Sequence, residues 1–415
     1  MKIKIIYILS VITVALSVSS CRNNDDFTES IFDTSIPVVD PNSTTAPFDQ
    51  WLYDNFVVPY NLEIQYKFNL PASNLGYQLA PSDYKKSQML SYFIKYLFYD
   101  VYTKQAGEDF MKLYGPRIIH FTGSAASNPT TGTEILGYAS GGVKITLIKV
   151  NEMKMWSPSA PYTAIDIDNL NEYQFHTMHH EFSHILHQTK SYPVDFGQLT
   201  PGDYDGRDWQ ERDSVKAHGL GFVTDYASSA TYEDFVETLS CTITDNDSRW
   251  MNTIIDACAN GGVKKGDKKR IYTLIDSLGI KEILDDSDKP WNTFALVKEY
   301  TINNENDTIN VRLVPDFHIK NAKYINAKYD FENTLRYDTD SIKFESFRDY
   351  LDNWVVEDNS ENGGMHAILE KLDIATKWYT EKWGLYLFMI RKEVRERQNK
   401  VNDFVRDEVT FFELK

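Results

Sequence analysis

Three residues near the middle of the chain have types and spacing that suit zinc chemistry. They lie in the segment from Met178 to Gln188, which contains one HExxH pattern formed by His180, Glu181 and His184. On an α-helix, residues four positions apart lie one turn above each other, so both imidazoles can bind one ion with Glu181 beside it. The pattern predicts a Zn²⁺ site in a hydrolase, with Glu181 as the base that takes a proton from water.

Three further histidines flank this pattern and need a separate interpretation. His176 and His187 share roughly the face of His180 and His184. At 1.5 Å of rise per residue, however, His187 is about 10 Å along the helix axis from His180. We therefore interpret His176 and His187 as outer partners or packing residues, and His179 as pointing elsewhere.

HExxH supplies two ligands, and a third must come from another part of the chain. The extended pattern with a histidine six residues after the second one fails, because position 190 is lysine. A helix predicted to start at Thr231 offers Glu233 and Glu237, four residues apart on one face. Beside a zinc ion, one carboxylate can bind the metal and the other can hold the N–H of a ligand histidine. A solvated acidic face at a helix N-terminus is the alternative.

Two other features of the segment favour this helix. Thr231 and Asp234 resemble a weak capping box at its start. Its apolar stripe consists of Phe235, Leu239 and Ile243.

The elements that must position these residues give an α+β fold with a small sheet. Residues 48–114 are largely helical, and the segment Ser87–Tyr102 has one apolar stripe. Short β-branched segments at Arg117–Phe121 and Lys144–Val150 predict strands, the second shortly before the helix expected at 169–188. An edge strand beside such a metal suits an extended peptide substrate.

The second half of the chain is predicted to surround and support the site. The long polar connection Ser191–Gly221 lies between the two halves of the site and could form a substrate wall. Helices predicted at Met365–Trp383 and Leu385–Val401, separated by Gly384, give a mainly helical C-terminal part.

The amino-terminal sequence is typical of secretion. Residues 1–20 contain two lysines and an apolar segment too short to span a bilayer as a helix, which predicts a signal peptide. Small residues lead directly into Cys21 and resemble a bacterial lipobox, which implies cleavage before Cys21 and its lipidation. The polar residues from 21 to 46 then predict a flexible tether, and residues 47–415 the catalytic domain.

Composition excludes some partners. Without residues 1–20 the chain has 41 basic and 60 acidic side chains, a net charge of −19, which argues against nucleic acid and against charge-driven binding to anionic lipid. The predicted membrane attachment is therefore the lipid on Cys21. Cys241 and Cys258 could pair outside the cytoplasm, although apolar packing is the more common use of two such residues.

The two halves of the site together resemble the gluzincin clan, and in particular the catalytic domain of anthrax lethal factor. The resemblance rests on HExxH, a later tyrosine, and a Glu-x-x-x-Glu helix. It implies His180, His184 and Glu233 as zinc ligands and Glu181 as the base. It also implies Glu237 as the outer partner of a ligand and Tyr226 as a residue that steadies the oxyanion.

A second resemblance covers most of the chain. The lipobox, the segments 180–188 and 226–237, and a C-terminal helix are similar to the substrate import-associated zinc metallohydrolase lipoproteins of Bacteroidetes. This resemblance implies a zincin-like metallopeptidase domain, anchored in the outer membrane at its periplasmic face or on the cell surface. It also implies that the protein acts beside an outer-membrane importer and its substrate-binding lipoprotein.

The stretch of residues 285–359 is longer than this family pattern requires, which predicts an insertion in the domain.

These observations favour a zinc metallopeptidase acting on a peptide or glycopeptide. One alternative is a non-catalytic, zinc-stabilised lipoprotein that captures glycan or peptide for the importer. Another is a structural surface protein without metal, which predicts that Glu233 lies far from His184.

Overall fold

The structure is a computed structural model, and we describe only part of its residues. They are residues 39–68, 79–127, 134–135, 137–140, 143–154, 164–261, 263–280, 294–302, 308–315, 335–337, 342–344, 347–353, 357–358 and 363–415. The predicted signal peptide, the predicted lipidation site at Cys21 and most of the predicted tether lie outside the described residues. Much of the predicted insertion also lies outside them.

The described amino-terminal part is largely helical, as predicted, although Glu63–Gln65 within it form a strand. Helix α1 (Ala46–Leu52) continues through a π-helical turn into Val58–Tyr60, and α2 (Tyr84–Ile94) continues through a second one into Asp100–Ala106. Helix α3 spans Glu108–Tyr114. The predicted stripe is fully buried and consists of Leu90, Phe93, Ile94, Leu97 and Val101.

A four-stranded sheet packs beside these helices. Its strands are β1 (Glu63–Gln65), β2 (Ile118–Phe121), β5 (Gly137–Ser140) and β6 (Lys144–Leu147), in the order β1-β2-β6-β5. The first three in that order are parallel, and β5 is antiparallel to β6. Strands β3 (Ala126–Ser127) and β4 (Glu134–Ile135) form a separate antiparallel pair.

Two details of this sheet differ from the sequence-based prediction. Strand β6 lies inside the sheet, so the edge strand on that side is β5. The strand expected to reach Val150 ends at Leu147, because Lys149 has a left-handed φ of 57° and a short 3₁₀ turn begins at Val150.

The helix that contains HExxH is α4 (His176–Thr189). Ile167–Leu170 and a π-helical turn precede it, so the helical segment confirms the prediction over 169–188. Asp166 caps the start of the helical segment at Ile167 by accepting a hydrogen bond of 3.0 Å from the backbone N–H of Asn169. Four more helices follow: α5 (Ser214–Gly219), α6 (Thr231–Thr244), α7 (Asp247–Gly261) and α8 (Asp267–Leu278).

The predicted capping box at the start of α6 is wrong. The N-cap residue is Ala230, and its side chain makes no capping hydrogen bond. Asp234 instead turns into the interior and pairs with Lys371 at 2.7 Å. The carboxylate of Asp234 therefore pairs with a buried lysine and does not cap the backbone of α6, as the local pattern predicted.

The described residues of the carboxyl-terminal part form four helices. They are α9 (Phe347–Asn353), α10 (Gly364–Trp383), α11 (Leu387–Asn399) and α12 (Val401–Glu408). Gly384 ends α10 with a left-handed φ of 67°, at the break predicted from the sequence. Gly364 begins α10 where a Cβ atom would lie 2.4 Å from the carbonyl oxygen of Gly219.

Strands lie along the chain between α7 and α10. Strand β7 (Val263–Lys264) pairs with β12 (Glu357–Asp358). Strand β8 (Phe294–Ile302) pairs with β9 (Thr308–Pro315), β10 (Leu335–Tyr337) and β11 (Ile342–Phe344).

Helix α6 lies between two hydrophobic clusters. Its residues Phe235, Leu239 and Ile243 belong to the larger cluster, which includes the amino-terminal helices, the sheet and α4. Cys241 belongs to the second cluster, with α7, α8 and Cys258. Both cysteines are buried free thiols, which confirms their packing role. Because both sides of α6 are packed, its glutamates have fixed directions.

None of the helices that the structure describes is long and apolar enough to cross a membrane.

Candidate metal centre

The structure brings His180, His184 and Glu233 together at one point. The Nε2 atoms of the two imidazoles are 3.2 Å apart. Oε2 of Glu233 lies 3.1 Å from Nε2 of His180 and 3.3 Å from Nε2 of His184. A tetrahedral zinc ion with bonds of about 2.0–2.1 Å requires ligand atoms about 3.3 Å apart. The three donor atoms therefore fit one zinc ion, and two nitrogens and one oxygen form a donor set that zinc accepts.

The packing of α4 against α6 produces this arrangement. Met178, Phe182 and Leu186 of α4 are fully buried, which fixes the rotation of the helix. The two imidazoles share the opposite side, where their rings make an edge contact with centroids 4.8 Å apart. The sequence separation of 49 residues between His184 and Glu233 is bridged by the contact of the two helices.

Glu237 holds the far side of His180. Its Oε1 atom accepts hydrogen bonds from Nδ1 of His180 at 2.7 Å and from Nε2 of His176 at 2.8 Å. Its Oε2 atom accepts one from the hydroxyl of Thr224 at 2.7 Å. A carboxylate can only accept here, so His180 carries a proton on Nδ1 and its Nε2 faces the metal position.

The charges in this cluster shift several pKa values. Burial lowers the pKa of His180, but hydrogen bonds to Glu233 and Glu237 outweigh it and raise that pKa to about 10. Burial likewise raises the pKa of Glu233, whereas hydrogen bonds from His180 and His184 lower it to about 2. Burial disfavours the ionised form of Glu237 as well, yet His176 and His180 keep its pKa well below the ordinary value. Both glutamates are therefore ionised at neutral pH.

His184 has a different outer partner. Its Nδ1 atom lies 2.9 Å from Nε2 of His187. Burial lowers the pKa of His187 to about 4, so this partner is a neutral imidazole at pH 7. His187 is thus brought next to a candidate ligand without being one.

The two other residues with an expected chemical role also reach the site. Glu181 is 7% exposed, and its charge acts on both His180 and Tyr226. The hydroxyl of Tyr226 lies within reach of the charge of Glu233, and its ring centroid lies 5.9 Å from that of His180. Burial and the charge of Glu233 raise the pKa of Tyr226 well above its usual value, so the hydroxyl keeps its proton.

A second group of donors lies directly behind the first. His176, Glu237 and Cys241 have possible ligand atoms within 4.8 Å of one another. Glu237, however, already accepts three hydrogen bonds, and burial raises the pKa of the Cys241 thiol well above 9. This group therefore serves as support for His180.

The connection before α6 contributes residues that sequence reasoning did not assign to the site. Trp209 packs edge-on against Tyr226 with ring centroids 4.9 Å apart, and Thr224 bonds Glu237. Tyr232, which lies on α6 itself, also reaches the site: it is 50% exposed and its ring centroid is 6.1 Å from that of His184. Only Trp209 and Tyr232 could have been noticed in the sequence, as large aromatic residues in the 191–221 connection and directly before Glu233.

A buried lysine stabilises this connection from behind. Lys371 on α10 binds Asp234 at 2.7 Å and the carbonyl oxygen of Gly221 at 2.8 Å. The hydroxyl of Tyr204 donates to the same carboxylate at 2.7 Å, and Lys371 lies 4.0 Å over the ring of Phe222. The C-terminal part thereby fixes both the start of α6 and the candidate substrate wall.

This fold and site fit a zinc-dependent hydrolase of mixed α+β architecture. The chain belongs to the family described as "putative zinc-binding metallo-peptidase", whose model matches residues 41–278. A solved structure with the same description, from Bacteroides caccae ATCC 43185, is similar to it at 25% identity and a TM-score of 0.54. The similarity covers 92% of this chain and 100% of the other. No curated protein matches the chain. The family inferred from the sequence is thereby confirmed, as are the α+β fold class and zinc as the cofactor.

Proposed function

We propose that this protein hydrolyses peptide bonds with a zinc ion held by His180, His184 and Glu233. The observation that supports this most strongly is the convergence of three donor atoms from two helices at 3.1–3.3 Å. That spacing suits one tetrahedral ion and leaves a fourth position for water or substrate.

The chain's own residues have separate roles around that position. When bound, zinc supplies a Lewis acid that polarises a carbonyl and lowers the pKa of water toward about 7. Glu181 takes the proton of the attacking water and later delivers it to the leaving amine. Tyr226 donates a hydrogen bond from its hydroxyl to the developing oxyanion. Its raised pKa supports this role, because a phenolate could not donate.

The sheet offers a place for an extended substrate. Among the described residues, strand β5 forms one edge of the sheet and contacts α4, the helix that carries both imidazoles. An extended peptide adds to such an edge through main-chain hydrogen bonds that do not depend on its sequence. A peptide or glycopeptide is the substrate class that this edge supports.

The proposal includes a place in the cell. The signal peptide and lipobox in residues 1–21 support a lipid anchor on Cys21. The resemblance to import-associated lipoproteins supports an outer-membrane position, at the periplasmic face or the cell surface, beside an importer and its substrate-binding lipoprotein. Labelling of wild type but not of Cys21→Ser with an alkyne fatty acid would support the anchor, and equal labelling would contradict it.

Two measurements test the catalytic proposal. The purified protein should hold zinc at one equivalent per chain, and His184→Ala and Glu233→Ala should each lose it. Wild type should cleave a mixed peptide library, whereas Glu181→Gln should bind zinc but cleave about 10²–10⁴ times more slowly. Zinc without cleavage would indicate the non-catalytic binding lipoprotein instead. A wild type without zinc would eliminate both.

A further inference from the structure

The two candidate histidine ligands are held by chemically different partners. His180 gives its Nδ1 proton to the carboxylate of Glu237, at 2.7 Å. His184 instead meets the imidazole of His187, with Nδ1 and Nε2 at 2.9 Å. A carboxylate fixes the tautomer of its histidine because it can only accept, whereas an imidazole could accept or donate. The tautomer of the second pair must therefore be settled by other contacts.

The contacts of His184 itself settle it. Its Nε2 atom lies 3.2 Å from Nε2 of His180 and 3.3 Å from Oε2 of Glu233, where a metal needs an electron pair. A metal-bound His184 therefore carries its ring proton on Nδ1. Nδ1 then donates to Nε2 of His187, which acts as the acceptor.

Aromatic residues from two elements lock the ring of His187. Tyr192 makes an edge contact with it at 5.4 Å between centroids, and Phe235 makes another at 6.4 Å. The rings of Tyr192 and Phe235 stack on each other at 4.5 Å. Phe235 lies two residues after Glu233 on α6, so the contacts that orient His187 also fix the start of the helix that provides the third donor.

We propose that His187 is a positioning residue that holds His184 in the tautomer with its proton on Nδ1, and so directs Nε2 at the zinc ion. This rests on the proposed function, because it takes His184 as a zinc ligand. His187 is not one of the three residues whose donor atoms converge, so it acts through His184. Its effect is on the affinity for zinc and on the location of one ring proton.

The first test is zinc affinity, measured by competition with a chromophoric chelator. His187→Leu removes the acceptor and should raise the Kd for zinc by about 10–100-fold. His187→Gln restores a neutral acceptor and should return most of that affinity. His179→Gln is the matched control, because His179 is equally part of α4 and fully buried but bonds Tyr102 instead of a candidate ligand. Its zinc Kd should equal that of the wild type.

The second test locates the proton. In zinc-loaded wild type, long-range ¹H–¹⁵N correlation of the imidazoles should show His184 with Nδ1 protonated and in slow exchange with water. In His187→Leu this slowly exchanging proton should be lost. Should leucine prevent folding, His187→Phe fills the aromatic surroundings without an acceptor and carries the same expectation.

The outcomes separate the two proposals. A wild type that binds no zinc overturns both. A wild type that binds zinc, with equal affinity in His187→Leu or His187→Phe, overturns only the role of His187. A zinc-loaded wild type in which Nδ1 of His184 carries no proton overturns it as well.

Discussion

Two neighbouring carboxylates on α6 have opposite surroundings. Glu233 faces two imidazoles and a phenol at the metal centre, with its side chain 13% exposed. Asp234, the next residue, is fully buried and faces the ammonium group of Lys371 at 2.7 Å. Side chains one residue apart on a helix point about 100° apart, so one segment serves two environments.

The difference shows how a buried charge is compensated in each case. Asp234 has its cation within the chain, and the pair holds the candidate substrate wall to the C-terminal part. Glu233 faces His180, whose raised pKa keeps it protonated until a metal ion displaces the proton on Nε2. The first arrangement stabilises the fold, whereas the second leaves a place for an ion from solution.

Removing the cation of the structural pair should have the largest effect. Lys371→Met should lower the free energy of unfolding by about 3–5 kcal/mol, because Asp234 would remain buried and unpaired. Denaturant unfolding of the metal-free protein measures it. Burial already raises the pKa of Asp234, so as the pH falls this carboxylate takes up a proton at a higher pH in the folded state than in the unfolded state. Protonation removes the unpaired charge, so the loss of stability in Lys371→Met should become smaller toward lower pH.

The double variant Lys371→Met with Asp234→Leu is the control for this prediction. It removes both charges and should recover most of the lost stability. If the single variant unfolds like the wild type, the pair does not hold the fold in the way described.

Of the two carboxylates, only Glu233 should be needed for zinc to stabilise the protein. At about 100 times the Kd, bound zinc adds about 2.7 kcal/mol to the free energy of unfolding. Chelation should remove this gain in wild type, and Glu233→Gln should show no gain at the same zinc concentration. Equal zinc stabilisation in both proteins would place the ion elsewhere.

Glu237→Gln should have a moderate effect on the metal and little on cleavage chemistry. The amide keeps the shape but loses the charge that orients His180, so the zinc Kd should rise about 10–100-fold. Activity at saturating zinc should return toward that of wild type. A loss of activity that excess zinc does not restore would assign Glu237 a direct role in the reaction.

Thr224→Val should have the smallest effect. It removes one of three hydrogen bonds to Glu237 while keeping the shape of the side chain. A hydrogen bond to a charged group contributes about 1.5–3 kcal/mol to stability, and only part of this reaches the metal. The zinc Kd should therefore rise less than in Glu237→Gln. A larger rise would mean that Oε2 controls the orientation of Glu237.

Local patterns predicted the parts of the site that lie within single helices. The spacing of His180 and His184 and the apolar stripe of α6 depend on helix periodicity alone, which a sequence shows directly. The choice of Glu233 over Glu237 as the residue facing both imidazoles required a resemblance to known proteins. The structure brings Glu233 to that position.

Long-range partners could not be read in this way. Lys371 lies far along the chain from Asp234, and no periodicity links them, so the capping box was the only local interpretation of Asp234. The residues of a strand do not show its place in the sheet either, so the sequence could not show that β5 and not β6 forms the edge. The acceptor role of His187 depends on one rotamer and on two aromatic neighbours from other segments.

Gly364 limits how this protein can be recombined with its relatives. A methyl group there would meet carbonyl oxygens of both His218 and Gly219, at 2.5 and 2.4 Å. Chimeras that exchange the carboxyl-terminal helices should therefore take the 218–221 turn from the same parent. A crossover placed between the two would keep this contact only when the new segment also has glycine at position 364.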